Sequence, residues 1–456
     1  LHLLARQIRE AALGKEHTKY VESCINLANV YWKTGESGQA TKYYTEAFNS
    51  QEAQTKKVFA FTTEPEKQSY VKKINEFRDL FLSYALSDVD QQPATAYAVS
   101  LASRNLILFS SQQLRQSIYN TNDTALIDKY NKWVTTREQL AFWYSRPLIE
   151  KKEQIRFLEE RANMLEKELT RSSEQFRKGQ QQIKWQKIQQ SLNDKEAAIE
   201  FVEFQYHNGK RLVDSTYYVA LVLRKDKPAP KMVQLFEKRQ IDELLKKAGS
   251  WTAIDSLYSS PSLYKLVWQP LEKYLVNISR VYYSSAGLLH KINLASVISD
   301  KKIVLSEQYQ LVHLNSTASI SDQADIFIGP PDRLLIYGGI NFNADSAELK
   351  VAAKPYQLNN ENSFALRGFN VTGDRLPDLP YTEEEVDYIT KSAQQKKYLI
   401  KTLKGVEANE ESVKALRGKN SPAVLHMATH GKFFPDPENV NPGKSLSGGK
   451  TFAQSD

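Results

Sequence analysis

Ala423-Val424-Leu425-His426-Met427-Ala428-Thr429-His430-Gly431 is an apolar run that ends on a His-Gly pair. A run of this kind, stopped by Gly, reads as a buried strand that delivers its last side chain to the rim of a sheet, where catalytic groups commonly sit. His430 is on this reading the candidate general base, because imidazole is the side chain whose ordinary pKa lies nearest neutrality. A histidine that merely caps the strand is the competing reading. His426 stands four residues earlier, on the same face of an unbroken strand, and is expected to support His430 rather than react. Asp436 and Glu438, in the loop that follows, read as solvated charges.

Three other chemistries fail on spacing. A zinc-peptidase pattern needs Glu directly after the first His on a helix, and Met427 stands there, so no metal site is expected at His426 and His430. Gly443-Lys444-Ser445 and Gly449-Lys450-Thr451 suggest a phosphate-binding loop, but the glycine required five places earlier is Glu438 or Lys444. Gly338-Gly339 lacks the third glycine and the helix of a dinucleotide fingerprint and reads as the end of a strand. No cofactor is expected.

Outward from the His-Gly run, strand-like segments cover 197–206, 216–224, 232–236, 280–283, 303–305 and 334–337, with helical patterns at 241–247, 262–275, 383–394 and 408–416. This alternation predicts an α/β layer with a mainly parallel sheet. Ser284-Ser285-Ala286-Gly287-Leu288-Leu289-His290 reads as a tight turn after one strand, with His290 structural.

The first 192 residues have a helical texture instead. Residues 21–54 fit a 34-residue tetratricopeptide period, with Leu27, Ala28, Tyr31, Gly35, Ala40, Tyr44 and Ala47 at its small, aromatic and turn positions. Ala12 to His17 read as a link from an earlier repeat, since one repeat cannot bury its own apolar face. Between 58 and 192 Pro and Gly are rare, with Pro147 marking a helix boundary. Ile155, Leu158, Ala162, Leu165, Leu169, Ser172 and Phe176 then form a heptad seam. It predicts a long helix packed on another, either within the chain as a hairpin or by self-association through residues 151–180.

Composition restricts the partners. The formal charge is +8, but Lys and Arg are interleaved with Glu and Asp, without the clean basic run and interspersed aromatics that would mark a nucleic-acid surface. No apolar run is long enough to cross a bilayer. Cys24 is the one cysteine of 456 residues, so no intrachain disulfide can form, and a reducing cytoplasm is the expected setting. Its position on the first repeat helix suits a buried structural thiol.

Four segments carry a family resemblance. Trp268-Gln269-Pro270-Leu271, Val281-Tyr282-Tyr283-Ser284-Ser285-Ala286-Gly287-Leu288-Leu289-His290, Leu379-Pro380-Tyr381-Thr382-Glu383-Glu384-Glu385-Val386 and Leu425-His426-Met427-Ala428-Thr429-His430-Gly431 occur in the order seen in CHAT domains. The chain resembles that family of caspase-like cysteine peptidase domains, which bacteria often fuse behind tetratricopeptide repeats. The resemblance implies a multidomain chain with tetratricopeptide repeats over 1–56, a helical region over 57–192 and a CHAT domain over 193–456.

It also implies a Cys-His dyad in which His430 pairs with a downstream thiol, and the backbone N–H of Gly431 donates to the oxyanion. In caspase-like chains the Cys follows the His by about 50 residues, whereas the sequence given ends 26 residues after His430. The expectation is a chain truncated before its nucleophile, acting on a protein substrate and regulated by a protein partner through its repeats. The alternative is a non-catalytic scaffold of the same fold.

Overall fold

The computed structural model describes residues 1–87, 90, 92–104, 106–144, 152–172, 184–247, 256–325, 333–356, 379–416 and 421–430. They fall into two compact units, Leu1–Phe327 and Ile328–Asp456.

Unit 1 opens with helices α1 (His2–Leu13), α2 (Thr18–Lys33) and α3 (Ser37–Phe59). The pair α2–α3 is the tetratricopeptide-like hairpin read from the sequence. Ala28 and Ala40 are fully buried, which lets the two backbones approach, and Tyr44 donates to Asn29 Oδ1 at 2.6 Å across the hairpin. Tyr31 stacks on Tyr43 with ring centroids 5.6 Å apart. Gly35 turns the chain at φ +80°, a left-handed conformation costly for residues with a Cβ.

Helices α4 (Glu64–Ser87), α5 (Pro93–Ser103), α6 (Leu106–Asn120), α7 (Thr124–Tyr144), α8 (Lys152–Ser172) and α9 (Trp185–Ser191) complete the helical half. The heptad seam is real, and its cover comes from within the chain. Ile155, Leu158, Ala162, Leu165 and Leu169 of α8 are buried in one cluster with Leu114, Ile118, Leu126, Trp133 and Leu140 of α6 and α7. Ser172 is exposed at the end of α8, and Pro147 and Phe176 lie outside the described residues.

The sheet of unit 1 has five strands in the order β3-β2-β1-β4-β5. They are β1 (Glu196–His207), β2 (Leu212–Arg224), β3 (Lys231–Glu237), β4 (Arg280–Ser284) and β5 (Gln310–His313). The expected mainly parallel sheet is corrected to a mixed one: β1 pairs antiparallel with β2 and β2 with β3, whereas β1, β4 and β5 run parallel. The β1–β2 connection is a hairpin, which forces antiparallel pairing, and a single-sequence pattern reports a strand but not its direction.

Burial on both faces explains why β1 reads as an almost unbroken apolar run. Ala198, Val202 and Phe204 belong to the cluster that also holds Tyr20, Cys24, Ala28, Tyr44, Phe81 and Tyr97 of the helical half. Ala197, Ile199 and Phe201 face the other cluster, with α10 (Lys238–Lys247), α11 (Pro261–Val267) and the following 3-10 helix Gln269–Tyr274. The tetratricopeptide-like hairpin and the sheet therefore share one core. The expected single helix over 262–275 is instead broken at Trp268, and a 3-10 turn begins at Gln269 with Pro270 in its first turn, because Pro lacks the N–H that would continue an α-helix. Ile303 to Leu305 is also not a strand. Leu305 starts the short helix α12 (Leu305–Gln308), and the strand is β5 just after it.

Unit 2 holds a three-stranded parallel sheet in the order β7-β6-β8, built from β6 (Arg333–Ile340), β7 (Leu399–Gly405) and β8 (Val424–Met427). Helices α13 (Ser346–Ala353) and α14 (Pro380–Gln395) lie between β6 and β7 in sequence, and α15 (Glu410–Lys414) between β7 and β8. β7 was not read from the sequence, since its Leu-Ile-Lys-Thr-Leu-Lys-Gly pattern carries too few apolar residues. Ile336, Val386 and Ala428 pack on one face of the sheet, and Leu335, Tyr337, Leu403 and Ala408 on the other. Helices fill the first half of the chain and an α/β region the second, so the expected multidomain α plus α/β organisation holds.

Candidate active site at the carboxyl end of the β6–β8 pair

β8 is shorter and less covered than its sequence suggests. The expected buried strand over 423–430 is a four-residue outer strand among the described residues, with Val424 39 %, Leu425 43 % and Met427 45 % exposed. Its apolar side chains match β6 in register, with Leu335 opposite Leu425 and Tyr337 opposite Met427, and the amide of Ala428 donates to Tyr337 O at 2.8 Å. Regular pairing then ends. His430 lies three residues beyond the strand, so period-two alternation no longer relates it to His426 and the two do not share a strand face.

His426 lies on β8 opposite Ile336, on the face that α14 covers. Its Nε2 stands 3.2 Å from Glu385 Oε1 of α14, in a geometry suited to an ion pair with the protonated ring but not to a well-formed hydrogen bond. The His430 ring meets Phe342 edge to face, with centroids 4.8 Å apart and planes at 61°. Gly431, Asp436, Glu438 and the glycine-lysine tail lie outside the described residues.

The amino end of α14 closes this end of the sheet. Thr382 Oγ1 accepts from the Gly339 amide at 3.1 Å and donates to Leu379 O at 2.6 Å. Lys404, near the end of β7, is held by Glu383 Oε1 at 3.1 Å and Asp387 Oδ1 at 2.6 Å. His430, the segment after β6, Lys404 and the first turns of α14 thus belong to the carboxyl ends of parallel strands, where α/β folds place their ligands. A half-buried imidazole here can accept and return a proton. Sequence reasoning missed Phe342, Thr382 and Glu385 as parts of this site. The Gly338-Gly339 pair was the available signal, for it marks where β6 bends toward α14.

The other expected residues sit in unit 1. Cys24 is fully buried on α2, and burial, with Glu46 beside it, pushes its thiol up. His290 follows β4, with its ring 6.3 Å from that of His313. Partial burial and the Arg104 charge hold both imidazoles below their usual value. Among the described residues no group of three or more His, Cys, Asp or Glu could hold a metal ion.

No curated protein matches the chain. The family model described as the CHAT domain matches residues 259–450, a stretch that includes β4 through β8 and His430. Residues 259–450 are therefore similar to the CHAT domain, a family of caspase-like fold, and they follow a helical region with a tetratricopeptide-like hairpin.

Proposed function

We propose that the protein is a caspase-like cysteine endopeptidase in which His430 is the histidine of the dyad. The observation that carries the reading is the position of His430 just past a parallel strand, beside the glycine-bent end of β6, within a stretch that matches the CHAT domain. The sulfur of a thiolate stabilised by the His430 imidazolium would add to the scissile carbonyl carbon. The Gly431 N–H would donate to the developing oxyanion. As the C–N bond breaks, His430 gives its proton to the leaving amine, and water then hydrolyses the thioester with His430 as base.

Cys24 is unsuited to that role, since burial favours its protonated form. The dyad needs a thiol other than Cys24, and the activity would be governed by a protein partner acting through the helical half. Because the one cysteine present is buried, a second reading is kept: a non-catalytic scaffold of the same fold. Sequencing the source gene for roughly 50 codons past Asp456 separates the two. A Cys ending the next apolar strand, with peptide cleavage abolished by His430→Ala, supports the peptidase. A stop codon or another residue at that place supports the scaffold.

A further inference from the structure

We propose that Phe342 is a positioning residue that orients the His430 imidazole, and that the Gly338-Gly339 bend, clamped by Thr382, delivers Phe342 to it; as a role in catalysis this rests on the peptidase reading above. The geometry of the glycine pair has a local explanation. A Cβ on Gly338 would overlap Val386 Cγ2 and come within 2.7 Å of Thr382 O, so a side chain there would push β6 away from the first turns of α14. Gly339 has φ +56°, and a Cβ on it would meet Glu383 Cβ at 3.1 Å. Its amide is the one that Thr382 Oγ1 accepts.

The backbone beyond the bend is held as well. The Asn341 amide donates to Gly405 O of β7 at 3.4 Å, and the Asn343 amide to Asn341 Oδ1 at 3.0 Å. Phe342 is therefore set between two fixed residues. His430 lies three residues beyond the end of the β8 ladder. The 4.8 Å edge-to-face contact with Phe342 lies within the separation at which aromatic pairs attract and restrain one another. Phe342 has no proton to exchange, so its contribution is to hold a ring orientation.

The test compares Phe342→Leu, Phe342→Tyr, Thr382→Val and Thr382→Ser in the whole chain, each checked for folding by circular dichroism. The first readout is the NMR shift of the His430 ring protons, assigned by their loss in His430→Asn. Phe342→Leu should move them toward free-histidine values as the Phe342 ring current disappears, and Phe342→Tyr should restore them. Thr382→Val should move them in the same direction, whereas Thr382→Ser, which keeps the hydroxyl, should not. Unmoved His430 protons in Phe342→Leu overturn the contact, and unmoved protons in Thr382→Val overturn the clamp.

The second readout is peptide cleavage by protein carrying the nucleophile. Phe342→Leu should lower kcat about tenfold with KM unchanged, as misorientation of a catalytic group does, and Phe342→Tyr should recover it. A change confined to KM, or no change in kcat, overturns the catalytic role. If the NMR shifts behave as expected but no form of the protein cleaves peptide, the peptidase reading fails while the positioning contact stands.

Discussion

Tyr97 Oη and Thr317 Oγ1, 220 positions apart in the chain, share a buried hydrogen bond of 2.7 Å. Thr317 Oγ1 and the Thr317 amide both donate to Glu200 Oε2, at 2.5 and 2.9 Å, so the proton between Tyr97 and Thr317 belongs to Tyr97. Glu200 is completely buried on β1, with Arg104 Nε 3.2 Å from its other oxygen. Arg104 also donates to Phe201 O at 3.0 Å and Ser284 Oγ at 2.7 Å. These bonds tie the residues around the end of α5 to the parallel strands β1 and β4.

Removing the guanidinium would leave the Glu200 carboxylate buried without its cation. Arg104→Met should destabilise unit 1 by about 3–5 kcal/mol, read as a lowered midpoint of urea unfolding. Adding Glu200→Gln should recover part of that loss, because the stranded charge is then gone. A single-variant cost within the ~0.5 kcal/mol typical of ordinary surface substitutions would show that Arg104 does not hold the carboxylate.

Lys67 of α4 and Glu166 of α8 form a second buried pair, Nζ to Oε1 3.7 Å, with side chains 3 % and 7 % exposed. Burial pushes the lysine down and the glutamate up, and the pairing offsets burial on both sides, together with a backbone hydrogen bond at Glu64 that favours the Glu166 carboxylate. Glu166→Leu alone should cost about 3–5 kcal/mol, whereas Lys67→Met with Glu166→Leu should return close to the wild-type midpoint. Additive losses in this double-variant cycle would count against a direct pairing.

Glu196 sets an acid limit on the sheet. Burial alone would raise its pKa, but hydrogen bonds from Asn193 and the Arg280 pair at 2.8 Å outweigh it and leave the carboxyl below its usual value. In that window the unfolded chain binds more protons than the folded one, so stability rises with pH. The contribution is present above the ordinary carboxylate pKa and lost as pH falls through the lower folded value. Arg280→Met should shift the acid-unfolding midpoint upward, followed by far-UV circular dichroism. An unchanged midpoint would remove Arg280 from the account.

Much of the molecule was legible because the relevant signals are local. The α2–α3 hairpin follows from Ala28, Gly35 and Ala40 at repeat spacing, and β1 from an apolar run too continuous to face water. The α8 seam was visible as heptads, but its cover was not, since α6 and α7 and a second chain could offer the same apolar stripe. β5 escaped because it is short and half exposed, and β7 because it carries few apolar residues. At the candidate site His430 stood out through its His-Gly context, whereas Phe342 gave no sign, being an ordinary aromatic 88 positions away.

By itself the sequence determined the division into a helical and an α/β half, the tetratricopeptide-like hairpin, and the histidine at a strand's end. These depend on side-chain periodicity and on residues such as Gly and Pro, whose backbone preferences act within a few positions. Only tertiary structure decided that the repeat hairpin and the five-stranded sheet share one core, that Arg104 and Thr317 meet at Glu200, and that Phe342 meets His430. Each of those contacts joins residues far apart in the chain, and such pairings are selected by the packing of whole elements rather than by local preference.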